Sequence, residues 1–132
     1  MIRHKRGDAK RALSLVEAAK RDMDFTVELP VSEDSASTIV RNVYECFRML
    51  GEALLVNEGK VVLDHKLAID RVISLPVGTS RPLGALENLR RMRHRINYYG
   101  YIATVDEAKY ALSLAECCFD AVYDFVKKTL AR

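Results

Sequence analysis

Between Arg81 and Arg95 the chain carries five arginines (81, 90, 91, 93 and 95) against one acid, Glu87, a net charge of +4. The run from Leu89 to Tyr101 reads Leu-Arg-Arg-Met-Arg-His-Arg-Ile-Asn-Tyr-Tyr-Gly-Tyr. Guanidinium forks grip phosphate oxygens bidentately and aromatic faces stack on bases, so this mixture points to phosphate, nucleotide or nucleic-acid binding. Arg90, Arg91, Arg93, Arg95 and Asn97 are the candidate phosphate contacts. Helical spacing predicts Arg91, Arg95 and Tyr98 on one side, with Arg90, Arg93, His94 and Asn97 on an adjoining one. Like charges at i,i+4 cost a little stability, which a partner should offset. The competing reading is a solvated charged helix that docks a second subunit or another protein. Glu45, Glu52, Glu116, Asp120 and Asp124 are the plausible acids for such pairs.

The rest of the chain is close to neutral. In all there are 21 basic and 18 acidic residues, a net +3, so the basic segment alone exceeds the total. A length of 132 residues with 49% apolar content predicts one ordinary domain over 1–132 with a conventional core, and excludes a disordered charged tail. Three prolines and six glycines exclude fibrous and low-complexity chains. Cys46, Cys117 and Cys118 are odd in number and form no C-x-x-C pair, which predicts a reducing, cytoplasmic setting with the thiols as small buried hydrophobes. His4, His65 and His94 lie far apart and lack an H-E-x-x-H arrangement, so neither a metal nor another cofactor is expected. The longest apolar run, Ala53 to Val56, falls far short of the roughly 20 residues that cross a bilayer. Glu17 and Lys20-Arg21-Asp22 interrupt what would be the apolar core of a signal peptide, so export is not expected.

Apolar periodicity then predicts the elements that carry the basic segment. Leu13, Val16, Ala19 and Met23 predict an amphipathic helix over about 8–23. Ser32-Glu33-Asp34-Ser35 reads as a hydroxyl cap with an acidic first turn, opening a helix whose stripe runs from Ile39 to Leu55 until Asn57-Glu58-Gly59 stops it. Lys60 to Asp64 reads as a short apolar connector, and Asp64 as the cap of a brief helix over 65–74. Pro82 suits the first turn of a fourth helix, which Gly100 ends. Thr104-Val105-Asp106-Glu107 matches the S/T-x-x-E capping box and opens the last helix, with Ala108, Ala111, Leu112, Ala115, Phe119, Val122 and Val126 as its buried stripe. Tyr44, Tyr110 and Tyr123 fall on or beside these stripes and read as core. Strand alternation is nearly absent. The expected class is all-α, an antiparallel bundle of four long helices and one short one.

Taken together, these residues resemble the HEPN superfamily (higher eukaryotes and prokaryotes nucleotide-binding). The likeness rests on Arg93-His94 followed by Tyr98, and on Thr104 to Ala108 opening an alanine-rich final helix. It extends to Tyr44-Glu45-Cys46-Phe47-Arg48 with Glu52 to Leu55, and to Gly59 through His65 to Ile69, so nearly the whole chain is covered. The resemblance implies a helical bundle that pairs as a homodimer, with two arginine motifs facing a common cleft. Many such proteins are metal-independent ribonucleases, and many are toxins encoded beside a minimal nucleotidyltransferase antitoxin. In active members the Arg holds the scissile phosphate, and a His four to six positions later moves the proton.

This chain departs from that pattern, because Tyr98 and Tyr99 stand where the His is expected. A phenol with an ordinary pKa near 10 is a poor base at neutral pH, whereas an imidazole near 6.5 serves both proton transfers. The resemblance therefore implies a cleft binding nucleotide or RNA, probed through Arg93, with weak or absent ribonuclease activity. The alternatives are an endoribonuclease using Arg93 with His94 or Tyr98 as its catalytic residues, and a docking scaffold. In family toxins a tyrosine two residues past the His is adenylylated by the partner enzyme. Tyr99 and Tyr101 are the candidates here, Tyr101 holding that offset when Tyr99 takes the place of the His.

Overall fold

A computed structural model describes every residue except Met1, Lys5 and Leu63, and gives the backbone alone for residues 2–4, 61 and 62. Lys5 of the basic N-terminus and Leu63 of the expected connector thus lie outside the described residues. Among the described residues there are five helices: α1 (Ala9–Thr26), α2 (Ala36–Asn57), α3 (His65–Ile73), α4 (Leu86–Tyr99) and α5 (Val105–Leu130). Pro82, expected in the first turn of the fourth helix, instead precedes a 3-10 turn, Leu83–Ala85, and α4 begins only after it. The expected connector instead contributes a short strand, β2 (Lys60–Val62), which pairs antiparallel with β1 (Ile2–His4), Ile2 opposite Val62. Three residues are too few to display an alternating pattern, and the partner strand lies at the far end of the sequence. Among the described residues the class is all-helical beside this ribbon. Among the described residues no helix is long and apolar enough to cross a membrane.

Local chemistry sets the helix ends. The Asp8 carboxylate accepts from the Arg11 amide at 2.9 Å, and that of Asp64 from the Lys66 amide at 2.9 Å, opening α1 and α3. At α5 the capping box is complete: Thr104 Oγ1 accepts from the Glu107 amide at 3.1 Å, and Glu107 Oε1 accepts from the Thr104 amide at 3.0 Å. Gly100, at φ +63°, adopts the left-handed conformation that closes α4 at the position expected. The start of α2 differs from expectation. Ser35, not Ser32, is the cap residue, and its hydroxyl turns back to donate to the Pro30 carbonyl at 2.6 Å while accepting from the Ser32 amide at 3.0 Å. Glu33 and Asp34 therefore lie in a turn before the helix rather than in its first turn.

Helix α2 is the centre of the fold and packs against all four others. Ile39, Val40, Val43, Phe47, Leu50 and Leu54 are fully buried, and Phe47 meets Phe119 of α5 edge-on at 5.6 Å. The buried seam of α1 is Ala12, Val16, Ala19, Met23 and Thr26. Leu13, expected in that stripe, is instead 43% exposed. Ala12 holds the buried position, and Leu13 falls one residue round the helix. Helix α3 approaches α2 at Gly51, where a Cβ would stand 2.0 Å from the Ala68 carbonyl oxygen. On the rim of this core Arg48 pairs with Glu45 and, at 3.3 Å, with Glu52, which Arg11 also approaches at 3.7 Å. Two of the acids considered for docking are thus committed within the chain.

Candidate functional site

Helix α4 buries Leu86, Leu89 and Ile96 against the core. Its polar residues then divide between two sides. On one, Arg90, Arg93, His94 and Tyr98 face Asp64, His65 and Lys66 at the start of α3 and Tyr44 of α2, around an open cleft of about 380 Å³. On the other, Asn88, Arg91, Met92 and Arg95 line a separate hollow with Tyr110 of α5. Tyr98 therefore belongs with Arg90, Arg93 and His94, not with Arg91 and Arg95 as the helical spacing predicts. It lies between the two groups around the helix, and its ring leans onto His94 with centroids 4.7 Å apart.

The five arginines have different fates. Arg93 is half-buried, with its guanidinium 5.3 Å above the Tyr44 ring, and among the described residues it has no carboxylate partner. Arg90 donates through Nε and Nη2 to Glu87 Oε1 at 2.9 and 2.5 Å, which holds the Glu87 carboxyl below the usual carboxylate range. Arg95 donates to Glu107 Oε2 at 3.1 Å and lies 4.7 Å over the Tyr101 ring, so it ties α4 to α5. Arg81 is directed away from the cleft, donating to Ser113 Oγ at 2.8 Å and stacking over Tyr110 at 4.7 Å. Arg91 and Asn97 are exposed outside the cleft. The acids that meet these arginines are thus Glu87 and Glu107, neither of them among the acids first considered.

The two adenylylation candidates also differ. Tyr99 is 76% exposed, with its ring against the edge of His94 at 5.8 Å. The Tyr101 hydroxyl donates to Glu107 Oε1 at 2.6 Å, and that bond pushes its pKa up.

Tyr44, His65 and Lys66 are the site residues that the basic segment does not reveal. Asp64 and His65 are visible locally only as the start of a helix, and Tyr44 as one member of an apolar stripe. Tyr44 is core, as expected, at 1% exposure. Yet it also borders the cleft, and its hydroxyl has no hydrogen-bond partner among the described residues. Burial pushes this phenol up, against the opposing pull of Arg93, Arg48 and Arg90. It stays protonated and can donate. Lys66 holds Asp70 at 3.0 Å on the exposed side of α3.

The cleft thus gathers guanidinium, ammonium, imidazole and phenol donors around one carboxylate, Asp64, which is already engaged at the α3 amide. Such a set fits an anion with several acceptor oxygens. Among the described residues no three His, Cys, Asp or Glu side chains come together to hold a metal ion. No protein-family model, curated protein or solved structure matches this chain.

Proposed function

We propose that the cleft between α3 and α4 binds a phosphate group of a nucleotide or of RNA. The observation that carries this reading is Arg93, a guanidinium that forms no ion pair among the described residues, seated on the Tyr44 ring where Arg90, Lys66, His65 and His94 border the same space. A fork fixed in this way has lost much of its rotamer freedom before a ligand arrives, so less is lost on binding. The resemblance to the HEPN superfamily supports the same reading, since Arg93 is the motif arginine. With it go the finer expectations: an antiparallel bundle, a homodimer whose arginine motifs share a cleft, and a minimal nucleotidyltransferase as partner in a toxin–antitoxin pair in the cytoplasm. Fluorescence titration with ATP and with short RNA at low salt tests the reading. Arg93→Ala is expected to weaken binding by about 10- to 150-fold, the worth of one charge-assisted contact. Tyr44→Phe is expected to weaken it about 5-fold or more, through loss of a donor. No binding by the wild type, or unchanged affinity in Arg93→Ala, overturns it.

A second reading is favoured by one further observation: His65 and His94, from different helices, border the same cleft as Arg93. Two imidazoles beside a phosphate site are the groups a metal-independent ribonuclease needs, one to take the 2′-hydroxyl proton and one to protonate the leaving 5′-oxygen. This reading predicts RNA fragments with 2′,3′-cyclic phosphate ends, lost in His65→Gln, His94→Gln and Arg93→Ala. Cleavage undiminished in all three variants refutes it.

A further inference from the structure

Tyr98 is the cleft residue for which phosphate binding has no use. It borders the cleft beside Arg93 and His94, yet 66% of its surface is exposed. Its hydroxyl has no hydrogen-bond partner among the described residues, so the phenol is not held there by a polar contact. Instead the ring is oriented through one side only. The ring leans on the His94 imidazole at 4.7 Å and 40°, and the His94 and Tyr99 rings meet edge to face at 5.8 Å. A large aromatic surface is thus presented to water, where packing against the core would have hidden it. Along α4, Tyr98 stands five residues beyond Arg93, a rise of about 7.5 Å, and both line the same cleft, so a sugar and base joined to an Arg93-bound phosphate can span the separation.

The chemistry that matches a guanidinium with an open aromatic face next to it is a phosphate joined through a sugar to a planar base. We infer that Tyr98 is a stacking platform for an unpaired base whose own or neighbouring phosphate sits on Arg93. This rests on the phosphate-binding reading and goes beyond it by naming what the site selects. A base inside a duplex has both faces covered and cannot reach the ring, whereas a base in a single strand, a loop or an end can. The site therefore discriminates through base exposure and not through the phosphate, which every nucleic acid carries.

The test is fluorescence anisotropy with the intact chain and a short end-labelled single-stranded ribo-oligonucleotide, with an abasic oligonucleotide of the same backbone, and with the duplex form. Wild type is expected to bind the single strand about 5- to 150-fold more tightly than the abasic strand, the usual worth of one base on an aromatic ring. Tyr98→Ala is expected to lose that preference and bind both strands alike, at the abasic level. Tyr98→Phe is expected to keep it, since stacking needs the ring and not the hydroxyl. Equal wild-type affinity for normal and abasic strands overturns the inference. So does a Tyr98→Phe variant as impaired as Tyr98→Ala, which would assign the hydroxyl a role. If Arg93→Ala weakens binding while the abasic strand binds as well as the normal one, the platform fails and the phosphate site stands. If no strand binds wild type, both fail together. Tyr98 is exposed, so its replacement leaves the core intact, and an unchanged far-UV circular dichroism spectrum verifies this.

Discussion

Replacing Gly51 by alanine links the packing of the fold to the composition of the cleft. The new Cβ would lie 2.0 Å from the Ala68 carbonyl oxygen, 2.8 Å from the Ala68 carbonyl carbon and 3.0 Å from Val72 Cγ2. An ordinary non-bonded contact is near 3.5 Å, so the α3 backbone must retreat by more than about 1 Å. Both nearest atoms are backbone and no side-chain rotation relieves them, which puts the cost at the upper end of overpacking, about 3 kcal/mol. Alanine returns about 1 kcal/mol of helix propensity relative to glycine. A net loss of about 2 kcal/mol remains, equivalent to a fall of roughly 1 M in the urea midpoint for a domain of this size.

The chain has no tryptophan, so unfolding is followed by circular dichroism. Gly84→Ala is the control, because a Cβ there meets nothing within 4 Å. Its expected shift is within about 0.5 kcal/mol. The site responds as well. His65 and Lys66 ride on α3, whereas Tyr44 and Arg93 do not, so Gly51→Ala is expected to weaken nucleotide binding by less than Arg93→Ala does. An unchanged or raised urea midpoint in Gly51→Ala refutes the close α2–α3 contact and, with it, the placement of His65 and Lys66.

Two further outcomes follow from the charge and thiol environments. Burial pushes the Glu107 carboxyl up, but the Tyr101 hydroxyl, the Thr104 amide and Arg95 outweigh it and hold it below the usual carboxylate range. Its stabilisation is therefore complete above the unfolded value of about 4.3 and is lost as pH falls through the lower folded value. Glu107→Gln is expected to cost about 1–2 kcal/mol near neutral pH, with the urea midpoints of variant and wild type converging on acidification. A gap that stays constant down to about pH 3 refutes the assignment. Among the thiols, burial pushes Cys46 up to about 12, and Cys118 is also buried and raised, whereas Cys117 is half-exposed. A disulfide reagent near pH 8 is expected to find one rapidly reacting thiol, absent in Cys117→Ser. A rapid phase that survives in Cys117→Ser contradicts the burial of the other two.

What was legible in the sequence, and what was not, follows the range of the forces involved. The starts of α3 and α5 are legible because a cap is a contact between residues two or three apart, as with Asp64 and Lys66 or Thr104 and Glu107, and the close of α4 because glycine adopts the left-handed turn; the start of α4, which has no side-chain cap, is not. The start of α2 was misplaced because Ser32 and Ser35 offer the same chemistry, and the choice rests on the turn at Pro30. Leu13 reads as inside because its side chain is the more apolar, yet Ala12 holds the buried position and Leu13 lies 43% exposed. In the site, the α4 half was visible as local charge density, but the α2 and α3 half arises only when three helices pack. The +4 of the basic segment also misstates which charges are free. Glu87 takes Arg90 from within the segment, and Glu107, twelve residues beyond Arg95, takes Arg95 from outside it. The proposed anion binding therefore rests less on the number of arginines than on Arg93, whose neighbour on α2 is the face of Tyr44 where an acid would have neutralised it. An aromatic ring at that position fixes the guanidinium without satisfying its hydrogen bonds, and this leaves the fork for a ligand.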